Sequence, residues 1–195
     1  GLKSAAVHGD NMENSFGSLS QPIYVTATYR STPYITYEDY YYHALQGDGP
    51  HDWFLYSRDG NPNQMALENK LCSMTGAEAC SVVSSGCSAL ASVFTTFLNT
   101  GDHVIGEKIS YESTEFFLKE QLPKKYNIEA SLVDMSDLDA VAAAIRPNTK
   151  LIHLEMPTNP LTNVCDLEKI AELAHAHNVL VSVDATFASP ILIFP

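Results

Sequence analysis

Residues 151–184 read LIHLEMPTNPLTNVCDLEKIAELAHAHNVLVSVD. Two short apolar runs, 151–155 and 179–183, flank a helix-length segment, 166–177. Apolar runs of strand length on either side of such a segment read as a β-α-β unit. A strand that returns through a helix pairs in parallel with the one it left, because a crossover rather than a hairpin carries the chain back. The alternation extends upstream, with residues 103–106 and 130–134 as strands and 113–122 and 138–145 as helices. Residues 79–83 read as one more buried strand, which enters Ser84-Ser85-Gly86-Cys87 and then a helix with Ala89, Leu90, Val93, Phe94 and Phe97 on one face. Pro62 opens a further helix through Leu67, Leu71, Cys72 and Met74, and Gly76 closes it where helices favour glycine. The pattern predicts an α/β domain built on a three-layer, mostly parallel sheet.

The regime changes near residue 60. Residues 1–60 are rich in Tyr, Ser, Thr, Gly and Pro, with no periodicity beyond an extended run at 23–29. Five tyrosines fall within residues 34–42, a pattern of segments that pack on another surface with their hydroxyls wet. This stretch has too few periodic apolar residues for a core of its own. It reads as an arm lying on a neighbouring subunit, with residues 61–195 as the domain proper. The apolar run at 191–194 is followed by no closing strand, so the sheet reads as unfinished and the chain as one part of a longer polypeptide.

Composition narrows the partners. Eleven basic residues stand against 23 acidic ones, a formal charge of −12, which repels phosphate backbones and anionic lipid. Nucleic acid and membrane are therefore not expected partners, and no apolar run approaches the roughly 20 residues that span a bilayer. Cys72, Cys80, Cys87 and Cys165 show no Cys-x-x-Cys pair and read as reduced thiols of a cytoplasmic protein. His175 and His177 are two apart near a helix end, where they point to different faces. No metal site is expected.

In open parallel sheets, ligands bind beyond the C-terminal ends of the strands, and four such ends carry polar residues. At Ser84-Ser85-Gly86-Cys87, a glycine admits an anion to the backbone and the next helix presents free N–H groups. The same turn also serves a strand-to-helix reversal without any ligand, and it is neither a dinucleotide fingerprint nor a Walker loop. Tyr111 offers an aromatic face for a planar ring, or is simply a half-buried tyrosine. Glu155-Met156-Pro157-Thr158-Asn159-Pro160 is a rigid loop whose Asn159 amide either donates to a ligand oxygen or forms an Asx-turn. Asp184, at the mouth of an apolar strand, calls for a cationic or hydrogen-bonding partner, which a pyridinium nitrogen would be.

Taken in order, Tyr56-Ser57-Arg58 with Gly60-Asn61-Pro62, Ser85-Gly86, Tyr111, Glu155-x-Pro157-x-Asn159-Pro160 and Asp184-x-Thr186-Phe187-Ala188-Ser189-Pro190 resemble the cysteine and methionine metabolism family of fold-type I pyridoxal 5'-phosphate (PLP) enzymes. That family includes cystathionine gamma-synthase, cystathionine and methionine gamma-lyases and the O-acetylhomoserine sulfhydrylases. The resemblance implies that the N–H groups of Gly86 and Cys87 bind the cofactor phosphate, that Tyr111 stacks on the ring and assists proton transfer, and that Asn159 bonds the ring's phenolic oxygen. It also implies that Asp184 keeps the ring nitrogen protonated, with Thr186 in the same contact set. Tyr56 and Arg58 would reach the phosphate in a neighbouring subunit, making the protein a homodimer or homotetramer with shared active sites. Cys87 stands where the family usually has methionine, and Ala185 where asparagine is common.

The activity implied is elimination or replacement at Cβ or Cγ of a small-molecule substrate, a sulfur amino acid or an activated homoserine. The family's cofactor-anchoring lysine follows the aspartate by about two dozen residues, in a Ser/Thr-Lys motif, and no lysine follows Asp184 in this chain. Lys150, although preceded by Thr149, and Lys169 both lie before Asp184 and so do not match that lysine. The competing expectation is a non-catalytic fragment or pseudo-enzyme serving as an assembly partner.

Overall fold

A computed structural model describes residues 1–9, 17–30, 38, 54–190 and 192–193. The tyrosine-rich stretch, apart from Glu38, lies outside the described residues, as does most of the terminal apolar run. The chain divides into two compact units, Gly1–Val82 and Val83–Pro195.

In the first unit, helix α1 (Leu2–His8) buries none of its residues, and the sequence pattern did not anticipate it. Helix α2 (Pro62–Thr75) forms as expected: Asn61 caps it by accepting from the Asn63 N–H, Pro62 fills the first turn, and Gly76 closes it at φ 72°. That left-handed φ is one that side chains resist. The arm is tied to the head of this helix. Asn63 Oδ1 accepts the Tyr24 N–H and its amide donates to the Pro22 carbonyl, while the Asn61 amide donates to the Tyr29 hydroxyl. The expected extended run makes a single antiparallel bridge, between Thr28 and Tyr56, and leaves Ile23 and Val25 exposed.

Residues 79–83 are not a strand. Among the described residues they pair with none, and α2 side chains hold Val82 instead: Glu68 Oε1 accepts the Val82 N–H at 2.9 Å and Gln64 donates to the Val82 carbonyl at 3.2 Å. A strand requires a neighbour with which to build a ladder, and this segment has none among the described residues.

The second unit is the parallel sheet. Helix α3 (Gly86–Phe97) is capped by Ser85. Strand β1 (His103–Glu107) is followed by α4 (Glu112–Phe116), which continues as a π-helical segment (Phe117–Tyr126) containing Pro123. A regular α-helix was expected over residues 113–122; Pro123 has no N–H for an α-helical ladder, and the turns here are wound wider. Then come β2 (Glu129–Val133), α5 (Leu138–Ala144), β3 (Thr149–Glu155), α6 (Leu167–Ala176) and β4 (Leu180–Asp184).

The order is β2-β1-β3-β4, with every pairing parallel. Alternation along the strands splits the core into two faces. Val104 and Leu151 pack with Leu90, Phe94, Leu118 and Leu122 from α3 and the π-helical segment. Ile105, Ile152 and Leu154 pack with Val141 of α5 and with Ile170 and Ala174 of α6. The unit is therefore three-layered, as the sequence predicts. Because β2 and β3 lie on opposite sides of β1, the chain reverses direction between β1 and β3, and the loops leaving those strands part to either side.

Candidate active site

The site is built at the C-terminal ends of β1, β3 and β4. Glu155 closes β3 and Asp184 closes β4, and the two are register partners. Thr186 wraps the Asp184 carboxylate: its N–H reaches Oδ1 at 3.0 Å and its hydroxyl reaches the same oxygen at 2.5 Å. Oδ2 makes no hydrogen bond among the described residues, so it can accept a proton-bearing group. Beneath it, His153 is buried, with Nδ1 2.8 Å from the Ser182 hydroxyl and its ring edge-on to Phe94. Burial holds this imidazole down to about 4, against a smaller raising effect of Asp184, so it is neutral near pH 7.

Tyr111 and Asn159 leave from different strands and meet on one side chain. The Tyr111 N–H donates to Glu155 Oε2 at 2.7 Å, and the Asn159 N–H donates to Oε1. Tyr111 is 42% exposed, and the Asn159 side-chain amide makes no hydrogen bond among the described residues, so the Asx-turn reading finds no support. The Asn159 loop is tied further by Thr158, whose Oγ1 accepts the Asn163 N–H and whose N–H donates to the Asn163 carbonyl. Burial pushes the Glu155 carboxyl up; the two backbone donors oppose this and the Asp184 charge adds to it. A cavity of about 90 Å³ is lined by Glu107, Asp134, Glu155, Thr158 and Cys165, with neither Tyr111 nor Asn159 among its lining residues.

At α3, Ser85 Oγ accepts the Ser88 N–H and the Ser85 carbonyl accepts the Ala89 N–H. The N–H groups of Gly86 and Cys87 keep no acceptor among the described residues, and nothing stands within 4 Å of where a Gly86 Cβ would sit. This is an open cradle of backbone donors of the kind a phosphate requires. In the first unit, the Arg58 guanidinium lies 4.7 Å from the centre of the Tyr56 ring and its side chain is 76% exposed. Each of the eight residues singled out from the sequence thus has a free polar group, an exposed ring or a contact with one that does. Glu155 was legible as the strand end that opens the Pro157-Asn159-Pro160 loop, but not as a partner of the Tyr111 backbone.

A parallel α/β sheet whose strand ends carry free backbone donors, a half-free carboxylate and an exposed aromatic residue is suited to an anionic, planar ligand. The chain belongs to the Cys/Met metabolism PLP-dependent enzyme family, whose model matches residues 3–195. It is 42% identical to canavanine gamma-lyase from Pseudomonas canavaninivorans over 95% of this chain and 44% of that protein. It is 37% identical to L-methionine gamma-lyase from Porphyromonas gingivalis over 100% of this chain and 47% of that protein. Among solved structures it is similar to cystathionine gamma-lyase from Lactobacillus plantarum complexed with L-serine, with TM-score 0.82 and 36% identity over 97% of this chain and 46% of that one. A putative O-acetylhomoserine (thiol)-lyase from Campylobacter jejuni, which carries N'-pyridoxyl-lysine-5'-monophosphate, matches with TM-score 0.88 and 28% identity over 100% of this chain and 46% of that one. The chain spans about half the length of these relatives. Among the described residues, no helix is long and apolar enough to cross a membrane.

Proposed function

We propose that the complete protein catalyses PLP-dependent elimination or replacement at Cβ or Cγ of a sulfur amino acid or an activated homoserine. The observation that carries this reading is the Asp184 carboxylate, held through Oδ1 by Thr186 and free at Oδ2, at the strand ends from which the Tyr111 and Asn159 loops depart. When bound, the cofactor supplies a protonated ring that draws electrons from the substrate Cα.

The chain's own residues have defined tasks. Asp184 Oδ2 holds the proton on the ring nitrogen. The N–H groups of Gly86 and Cys87 hold the phosphate, the Tyr111 ring stacks and its hydroxyl takes part in proton transfer, and the Asn159 amide donates to the ring oxygen. Tyr56 and Arg58, in an arm spanning residues 1–60, complete the phosphate site of a neighbouring subunit in a homodimer or homotetramer, while residues 61–195 belong to the cofactor-binding domain. The exposed Ile23 and Val25 and the exposed Arg58 support an arm that meets a partner. The free thiols at Cys72, Cys80, Cys87 and Cys165 fit a cytoplasmic setting.

The test is to purify the complete protein with PLP and offer it methionine, cystathionine, canavanine and O-acetylhomoserine. Release of a 2-oxo acid, or replacement of the γ-substituent by an added thiol, is expected with at least one. A protein that retains PLP yet transforms none of them would overturn the reading.

A further inference from the structure

Glu155 is 6% exposed, and both its carboxylate oxygens are used. One accepts from Tyr111, 44 residues away in sequence at the start of α4, and the other from Asn159, four residues on in the next crossover. These are main-chain donors, so the carboxylate sets the position of two backbones and not of one rotamer. The two loops leave β1 and β3, the neighbours between which the sheet reverses, and among the described residues no hydrogen bond other than Glu155's joins them. A carboxylate is the only side chain that can accept from two N–H groups through two equivalent oxygens; an amide offers one acceptor and turns a donor toward the other N–H.

We infer that Glu155 is a positioning residue that fixes the separation between Tyr111 and Asn159, and thereby the spacing of the ring face and the amide that would hold the cofactor. The inference rests on the reading that Tyr111 and Asn159 face PLP.

Glu155→Gln in the complete protein should accelerate deuterium exchange in peptides covering residues 108–112 and 156–162, read by mass spectrometry in the PLP-free form. It should also weaken PLP retention about tenfold, the loss of roughly 1.4 kcal/mol expected of one charge-assisted hydrogen bond, and reduce the induced circular dichroism of the bound cofactor. Glu155→Asp, which keeps the charge on a shorter arm, should share the exchange and dichroism changes; it serves where the glutamine variant does not fold. Unchanged exchange at both peptides in a folded variant overturns the inference. Faster exchange with unaltered retention and dichroism leaves the clamp standing and instead removes Tyr111 and Asn159 from the cofactor's contacts. That second conclusion is checked independently by Asn159→Ala, which should weaken PLP retention without disturbing exchange at residues 108–112.

Discussion

Gly106 in β1 lies against Leu118 of the π-helical segment so closely that a Cβ on Gly106 would overlap Leu118 Cδ1 and stand 3.0 Å from Leu132 Cδ2. The absence of a side chain is what allows the helical layer to settle on the central strand. Gly106→Ala should therefore destabilise the fold by about 1–3 kcal/mol through overpacking, measured as a lowered denaturation midpoint. A companion Leu118→Ala change should recover part of that loss in the double variant, since it vacates the space the new methyl needs. Additive losses in the two variants would show that the contact is not the cause.

The same strand shows why much of this fold can be read from sequence. β1 is buried along its whole length and β3 nearly so, and the hydrophobic run this requires survives with no partner in view. Residues 79–83 have a similar small and apolar run, yet the Val82 N–H and carbonyl bond the Glu68 and Gln64 side chains. Composition reports burial tendency, whereas a ladder depends on a neighbour that a local pattern does not contain. Helix α1 escaped notice for the opposite reason, since it buries nothing and leaves no stripe. In the site, Asp184 stood out because a charge ended an apolar strand. Glu155 ended one too, but its function lies in two backbone N–H groups whose approach only the folded loops reveal.

His153 predicts a pH dependence. Its ring is held down to about 4 by burial, below the ordinary value near 6.5. A folded-state value below the unfolded one means that stability is fully present above pH about 6.5 and is lost as pH falls toward 4, with a slope of at most ~1.4 kcal/mol per pH unit for this group. The buried His103, bracketed by Thr149 and Ser131, is shifted in the same direction by burial. The raised carboxyls of Glu155 and Glu107 act oppositely, because their contribution is present at low pH and fades as pH rises. The His153 part is therefore read as the difference between wild type and His153→Gln across denaturation curves from pH 7 to pH 4.5. Parallel pH profiles for the two proteins would remove His153 from the account.

Thr186 and Asp184 should separate in their effects on the complete protein. Asp184→Asn removes the charge, and turnover should fall by orders of magnitude with the fold retained by circular dichroism. Thr186→Val removes one hydroxyl donor but leaves the carboxylate and the Thr186 backbone N–H bond. Turnover should then drop only about tenfold, as for one hydrogen bond to a charged group. Equal losses from both changes would mean that Thr186 does more than orient its neighbour, and wild-type turnover in Asp184→Asn would return the carboxylate to a structural role.

Arg58 carries the prediction that depends on assembly. Its guanidinium rests over the Tyr56 ring with most of its surface open, a planar multi-donor cation presented outward with an aromatic backing. Among the described residues its only ionic neighbour is Asp59, with 3.7 Å between Nε and the carboxylate oxygen, too exposed a pair to hold it firmly. Such a group is available to an oxyanion beyond its own arm. In the complete protein, Arg58→Ala should weaken cofactor retention about tenfold or more, as the loss of a charge-assisted phosphate contact implies. Mixing decides whose site it serves. Arg58→Ala subunits co-assembled with subunits lacking the cofactor-anchoring lysine should regain part of the activity that neither has alone, because half of the composite sites in a mixed pair would then carry both residues. If hybrid oligomers form and activity stays at the level of the parents, Arg58 acts within its own chain and the shared-site proposal fails.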